Sequence, residues 1–347
     1  MNIKFFILIF FLIIGFISCE KKYQPRSIET VNLENISIDS SSIRAIHASI
    51  DSSLIYATSD GYLGLYFPSN KDIKTEKIMY DSIVPHFRSI ALNNNNVYAL
   101  SIGDPALLYE YSEGDLNIVY KEEHPNVFYD AMAFFDEMNG IAMGDPVDNC
   151  LSILITRDGG NTWNKIPCKE LPKTEEGEAA FAASNSNIAI VGSHAWLVTG
   201  GKLARIFHTP NMGKTWEVFN SPIVSGNQMT GIYSVDFYDE KNGIIFGGNW
   251  NDKEDNVANK AITYDGGITW QLVADGQEPG YKSCVQYVPN TQGKEIFAVG
   301  SNGISFSNDG GQSWKKVSEE GYYTIRFVNK NFAWLAGNNK IGKMSLK

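Results

Sequence analysis

Thr156-Arg-Asp158-Gly-Gly-Asn-Thr-Trp163 returns three more times along the chain. The later copies are Thr209-Pro-Asn211-Met-Gly-Lys-Thr-Trp216, Thr263-Tyr-Asp265-Gly-Gly-Ile-Thr-Trp270 and Ser307-Asn-Asp309-Gly-Gly-Gln-Ser-Trp314. These residue types suit a tight turn between two strands. A short carboxylate accepts hydrogen bonds from turn N–H groups, and glycine takes the positive φ that the turn needs. The hydroxyl residue is bonded locally, and the Trp staples the turn onto its sheet. Four of the seven Trp residues stand in these units, so packing is their main task. Asn211 replacing Asp in one copy fits a hydrogen-bonding role and argues against a calcium or catalytic one.

Outward from each unit a longer period emerges. Short apolar runs ending near Gly recur at Leu54–Ser59, Val97–Gly103, Ile141–Gly144, Ile188–Gly192, Ile244–Gly247, Ile296–Gly300 and Ala333–Gly337. Each is preceded by another short apolar segment, among them Ile43–Ile50, Phe87–Leu92, Phe128–Phe135, Ala179–Ala183 and Tyr233–Tyr238. Strand, strand, hairpin, repeated at roughly 40–50 residues, predicts the four-stranded blades of a β-propeller. Seven such units predict an all-β, seven-bladed propeller over residues 27–347. The last blade, from Tyr322, has only three strands of its own, and residues 27–33 alternate like a strand without a partner. They are expected to supply its outer strand and close the ring without a free edge.

The 347 residues are 43% hydrophobic and 20% charged, enough for a large core, which excludes disordered and fibrous classes. A formal charge of −10, with 29 basic residues spread evenly, excludes the electrostatic footprint of a nucleic-acid binder.

Residues 1–18 read as an export signal: Lys4 is followed by an apolar run, Phe5 to Ile17, shorter than the roughly 20 residues of a spanning helix. Phe16-Ile17-Ser18-Cys19 resembles a bacterial lipobox, so Cys19 is the expected lipidation site, with residues 19–26 as a tether. Export allows disulfides. Cys150 and Cys168 lie symmetrically about the first turn and face each other if the flanking segments form a hairpin; they are either bridged or free. Cys284 is expected as a buried thiol. No CxxC or Cys/His cluster suggests a metal, and no cofactor motif is present.

Together with the four units, which match the Asp-box of bacterial neuraminidase repeats, several segments carry a family likeness. These are Phe87-Arg-Ser-Ile90, Asp130-Ala-Met132, Gly144-Asp-Pro146, Gly177-Glu-Ala-Ala-Phe181, Gly247-Gly248 and Tyr281-Lys-Ser-Cys-Val285. The chain resembles the photosystem II stability/assembly factor-like family, and most nearly its exported Bacteroidetes members. That resemblance implies a seven-bladed propeller with a neuraminidase-repeat-like fold. The expected function is to hold an envelope protein or peptide without catalysis. Glu20-Lys21-Lys22 gives no clear surface-export signal, which makes the periplasmic side of the outer membrane the expected location.

Propellers bind where innermost strands begin and where second-to-third-strand turns emerge. The expected innermost-strand starts contribute Arg44, Arg88, Asp130, Glu178 and Lys282. The neighbouring turns contribute Asp60, Asp104, Asp145, His194, Trp196 and Trp250. Two readings follow: a mixed-charge, aromatic-rimmed pocket for a peptide or small polar ligand, or arginines paired with Asp130 and Glu178 to close the channel. The nearby insertion Asn249–Asn256 carries Asp252, Glu254 and Asp255 without the register of a calcium loop. A sialidase-like glycoside hydrolase is the alternative function. It needs an arginine triad, for which Arg44, Arg88 and Arg326 are the candidates.

Overall fold

In the computed structural model, which describes residues 23–49 and 51–346, short apolar runs become strands because both faces of each sheet are covered. Cys150–Thr156 is buried along its whole length. Blade 1 contains the second half of Asn32–Ala48, then Leu54–Thr58, Tyr62–Phe67 and Asp72–Lys77. Blade 2 is Phe87–Asn93, Asn96–Ser101, Ala106–Ser112 and Asp115–Glu122; blade 3 is Tyr129–Phe134, Gly140–Val147, Cys150–Thr156 and Asn164–Lys165. Blade 4 is Ile188–Val191, His194–Val198, Arg205–Thr209 and Glu217–Asn220; blade 5 is Thr230–Phe237, Gly243–Asn249, Lys260–Thr263 and Gln271–Leu272. Blade 6 is Cys284–Tyr287, Ile296–Gly300, Gly303–Ser307 and Lys315–Ser318.

Blade 7 begins with Thr324–Asn329 and continues in Phe332–Ser345. The latter doubles back at Asn338–Asn339, which brings the Leu346 N–H within 2.8 Å of the Asn331 carbonyl. Its returning half pairs with the N-terminal segment, from Asn32 opposite Ser345 to Ser37 opposite Lys340. The closing strand is therefore residues 32–37, not 27–33. Ile28 is instead buried as a core side chain between blades 6 and 7, so the alternating pattern at 27–33 reports packing before pairing begins.

Each innermost strand packs against the next, and that of blade 7 meets that of blade 1. Seven separate apolar clusters fill the seven interfaces, from blades 1 and 2 round to blades 7 and 1. This is a seven-bladed β-propeller. Its upper face holds the starts of the innermost strands and the second-to-third-strand turns. Its lower face holds the first-to-second and third-to-fourth turns, including the four repeated units.

Those units have the expected hydrogen bonds. Asp158 accepts from Thr162 N–H at 2.9 Å and Thr162 Oγ1 at 2.6 Å, and the Thr156 hydroxyl accepts from Gly160 N–H at 2.9 Å. Asp265 and Asp309 repeat the pattern, and Asn211 accepts from Thr215 N–H at 2.8 Å. Gly160 has φ +103°, and a Cβ there would lie 2.4 Å from the Tyr98 ring, so no other residue fits. The Trp rings reach further than their own sheets. Trp163, Trp216, Trp270 and Trp314 each join the cluster shared with the preceding blade. Cys150 and Cys168 form a disulfide with Cα atoms 5.6 Å apart, and Cys284 is a buried free thiol.

Blade 4 departs from expectation. Its innermost strand is Ile188–Val191, read from sequence as a second strand, while Ala179–Ala183 lies before the blade. Every blade 4 residue placed by counting strands is shifted accordingly.

Candidate functional site

The channel at the propeller axis is filled by the chain itself. Ala182-Ala183-Ser184-Asn185-Ser186, the lead-in to blade 4, is bonded to the innermost strands of the other six blades or to residues at their ends. From blade 1, Arg44 Nη1 donates to Ala183 O at 3.0 Å; from blade 2, Arg88 Nη1 donates to Ala182 O at 2.8 Å. Asn185 donates to Ile90 O at 2.8 Å and accepts from Met132 N–H of blade 3 at 3.0 Å. Val235 N–H of blade 5 donates to Ser186 O at 2.8 Å, and the Ser184 hydroxyl donates to Ser283 O of blade 6 at 2.6 Å. From blade 7, Thr324 Oγ1 and Arg326 Nη2 both donate to Ser184 O at 3.0 Å. Small side chains let this segment enter the axis, and the surrounding donors satisfy carbonyls that a dry channel would leave exposed at a cost.

Above this plug lies a cleft of about 510 Å³ on the upper face. Four sequence-predicted residues line it: Arg44, Arg88, Asp145 and Trp250. Phe128, Phe181, Met229, Tyr233 and Tyr281, which sequence reasoning missed, supply most of its apolar wall. Phe181 stacks on Tyr233 with ring centroids 4.0 Å apart, and Tyr233 meets Tyr281 edge-on at 4.7 Å. Arg44 lies over the Tyr323 ring with Cζ 3.8 Å from its centroid. Trp250 is 44% exposed at the rim.

Burial controls the charges here. Asp145 accepts the Ala180 N–H at 2.8 Å, yet desolvation raises its pKa to about 6. Asp130 is fully buried beside it; neither of its oxygens has a partner among the described residues, and desolvation with the neighbouring Asp145 charge pushes its pKa well up. Burial and the nearby Arg44 charge bring Arg88 down to about 10, while its Nε donates to His86 Nε2 at 2.8 Å. Arg44 Nε has no partner among the described residues.

The other predicted residues are elsewhere. Glu178 is held by Arg205 in a two-point ion pair, at 3.0 and 2.5 Å, and accepts the Thr199 hydroxyl at 2.6 Å. Arg44 and Arg88 hold backbone carbonyls of the plug, and the pairs with Asp130 and Glu178 that one of the two sequence readings required are not formed. Lys282 turns away into protein, donating to Asn302 Oδ1 at 3.0 Å and Gly303 O at 2.9 Å. Asp104 is exposed outside the cleft, and Asp60 accepts from Ser41 Oγ at 2.6 Å. His194 and Trp196 lie at the lower end of blade 4's second strand, a correction that follows from its shifted strand order. Trp196 donates to Gly266 O at 2.7 Å in the blade 5 turn and stacks on Phe237 at 3.6 Å. His194 Nδ1 is 2.9 Å from His208 Nε2.

Below the plug a second cavity, about 300 Å³, is lined by innermost-strand residues including His47, Asp236, Gln286 and Arg326. Burial raises Asp236 to about 7 and lowers His47 to about 4. Arg326 lines this cavity, whereas Arg44 and Arg88 line the upper cleft, so the three arginines of the hydrolase reading do not converge. Among the described residues there is no cluster of three or more His, Cys, Asp or Glu side chains that could hold a metal ion.

No protein-family model matches the chain, and no curated protein matches it. Its likeness is to solved structures. YCF48 bound to D1 peptide superposes with a TM-score of 0.65 at 14% identity, over 92% of this chain and 100% of that one. Virginiamycin B lyase from Staphylococcus aureus gives 0.65 at 11% identity, over 91% and 100%. The WD40 repeats of RRP9 give 0.64 at 12% identity, over 93% and 100%. At such identities the likeness is one of fold.

Proposed function

We propose that this is a non-catalytic envelope lipoprotein whose upper cleft holds a peptide segment of a partner protein, as an assembly or scaffold factor does. The observation that carries the reading is the cleft above the plugged channel. Arg44 and Arg88 each give Nη1 to the plug while their Nη2 atoms bond nothing among the described residues, and Phe181 and Trp250 offer apolar surface beside them. A guanidinium recognises a carboxylate through paired charge-assisted hydrogen bonds, while the aromatic wall takes an apolar side chain. The preferred occupant is therefore an extended segment with an acidic group next to a hydrophobic residue. YCF48, which has the same fold, is a propeller whose solved structure contains a D1 peptide.

Catalysis draws less support. The arginines of the alternative hydrolase are divided between two cavities.

Attachment to the membrane through Cys19, after removal of residues 1–18, is part of the proposal. Both segments lie outside the described residues, and the reading rests on the lipobox-like sequence. The expected location is the periplasmic side of the outer membrane.

Selection of a displayed peptide library on the immobilised propeller tests the cleft. Enriched peptides should lose about tenfold or more in affinity on Trp250→Ala, the scale of one buried aromatic contact, with unfolding unchanged. Equal binding to the variant would contradict the assignment. Hydrolysis of a fluorogenic sialoside, abolished by Arg88→Ala, would favour the enzyme instead. Mass spectrometry of the membrane fraction reports the acyl chains at Cys19.

A further inference from the structure

The expected tether is shorter than its sequence suggests. Tyr23 and Arg26 are docked on the lower face through Glu295, whose side chain is wholly buried. Its carboxylate accepts from the Arg26 backbone N–H at 2.8 Å, Arg26 Nε at 2.9 Å, Arg26 Nη2 at 2.5 Å and the Tyr23 hydroxyl. Asn308 of the blade 6 turn donates to Arg26 O at 2.9 Å, and Arg26 Nη1 donates to Asn331 Oδ1 of a blade 7 turn at 3.1 Å. A buried carboxylate stripped of water requires such partners, so the clamp belongs to the folded body. Ile28 follows it directly into the core between blades 6 and 7.

The chain thus leaves the propeller at the lower face, only four residues after Cys19. Four residues reach at most about 14 Å. On the neighbouring blade 5, the same face exposes Tyr264 (61%), Ile268 (58%) and Tyr238 (36%). Tyr264 and Ile268 project from the repeated turn, and Tyr238 from the adjacent first-to-second-strand turn. Tyrosines and a branched apolar residue on protruding turns suit the boundary between headgroups and acyl chains.

We propose that the lower face of blades 5 and 6 is a membrane-docking surface, oriented by the Tyr23/Arg26–Glu295 clamp, which presents the upper cleft away from the bilayer. This rests on the lipid anchor of the proposed function. Charges of both signs, such as Asp239, Glu240 and Lys241, stand on the blade 5 turns. The contact therefore depends on the acyl chains and apolar side chains rather than on attraction to anionic lipid.

The test uses the full mature protein purified from membranes, with its acylation read by mass spectrometry. A single cysteine replaces Ile268 or Trp250 and carries an environment-sensitive dye; Cys284 is buried and contributes little labelling. The protein is reconstituted on phosphatidylethanolamine–phosphatidylglycerol vesicles containing a lipid-borne quencher. The dye at position 268 should shift to the blue and be quenched several-fold more strongly than the dye at position 250. Acylated protein with equal or stronger quenching at position 250 would overturn the orientation and leave the anchor intact. Protein without acyl chains would overturn the anchor, and the orientation with it.

Discussion

Arg326 of blade 7 donates from Nη2 to the Asn185 carbonyl at 2.7 Å, reaching across the axis to the segment that leads into blade 4. The same nitrogen serves Ser184 O, and Nη1 serves Ile325 O at 2.7 Å and Thr324 Oγ1 at 3.0 Å. One guanidinium thus fastens the last blade to the plug, which bonds five further blades and leads into blade 4.

Removing that guanidinium leaves the Asn185 carbonyl without its donor and Ser184 O with Thr324 Oγ1 alone. A buried carbonyl left unpaired costs roughly 1–3 kcal/mol on top of the charge-assisted bonds lost. Arg326→Ala should therefore lower the unfolding free energy by about 2–4 kcal/mol in urea titrations. Arg326→Lys should recover only part of the loss, because an ammonium lacks the planar fork. Unfolding unchanged by Arg326→Ala would mean that the plug is not held this way.

Asp145 makes stability depend on pH. Its folded pKa of about 6 stands above the ordinary 3.8, so the folded state holds this proton more tightly than the unfolded chain. The resulting stabilisation is complete below 3.8 and disappears as pH rises through about 6. Asp145→Asn keeps an acceptor for the Ala180 N–H but loses the desolvated charge. It should raise stability at neutral pH by about 1–3 kcal/mol and flatten the dependence between the two pKa values. Thermal melts across that range check it; a destabilised variant at neutral pH would contradict the desolvation argument.

The four repeated turns differ in one indole. Trp163, Trp270 and Trp314 donate to the carbonyl of the second Gly of their turns, at 3.1, 2.9 and 2.9 Å, whereas Trp216 Nε1 has no partner among the described residues. Trp→Phe removes similar volume at each position. Trp163→Phe should therefore cost about 1 kcal/mol more than Trp216→Phe in equilibrium unfolding. Equal costs would show that ring packing alone fastens these turns.

Much of the architecture was legible because the turns repeat. Their Asp, Gly and Trp chemistry is local, and it registers blades 3 to 6 without knowledge of distant contacts. Ring closure was also legible, though its strand lies five residues later than alternation suggested, because Ile28 is buried before strand pairing starts. Blade 4 was misread because Ala179–Ala183 has the composition of a short buried strand. The following Ser184-Asn185-Ser186 marks it as a plug only through partners on six other blades, which no local pattern reveals. His194 and Trp196 moved to the lower face for that reason. Arg44, Arg88, Asp145 and Trp250 could be placed together at the upper cleft because innermost-strand starts and upper turns are fixed by blade geometry. The aromatic wall was missed because Phe181, Tyr233 and Tyr281 looked like ordinary core residues.

The central claim is that a partner's polypeptide occupies the upper cleft. A photo-crosslinking amino acid at Trp250, and separately at Tyr264, in living cells tests it most directly, with captured segments sequenced by mass spectrometry. The account predicts one recurrent polypeptide segment bound from position 250 and none from position 264. Capture from position 264 alone, or none from position 250, would contradict it.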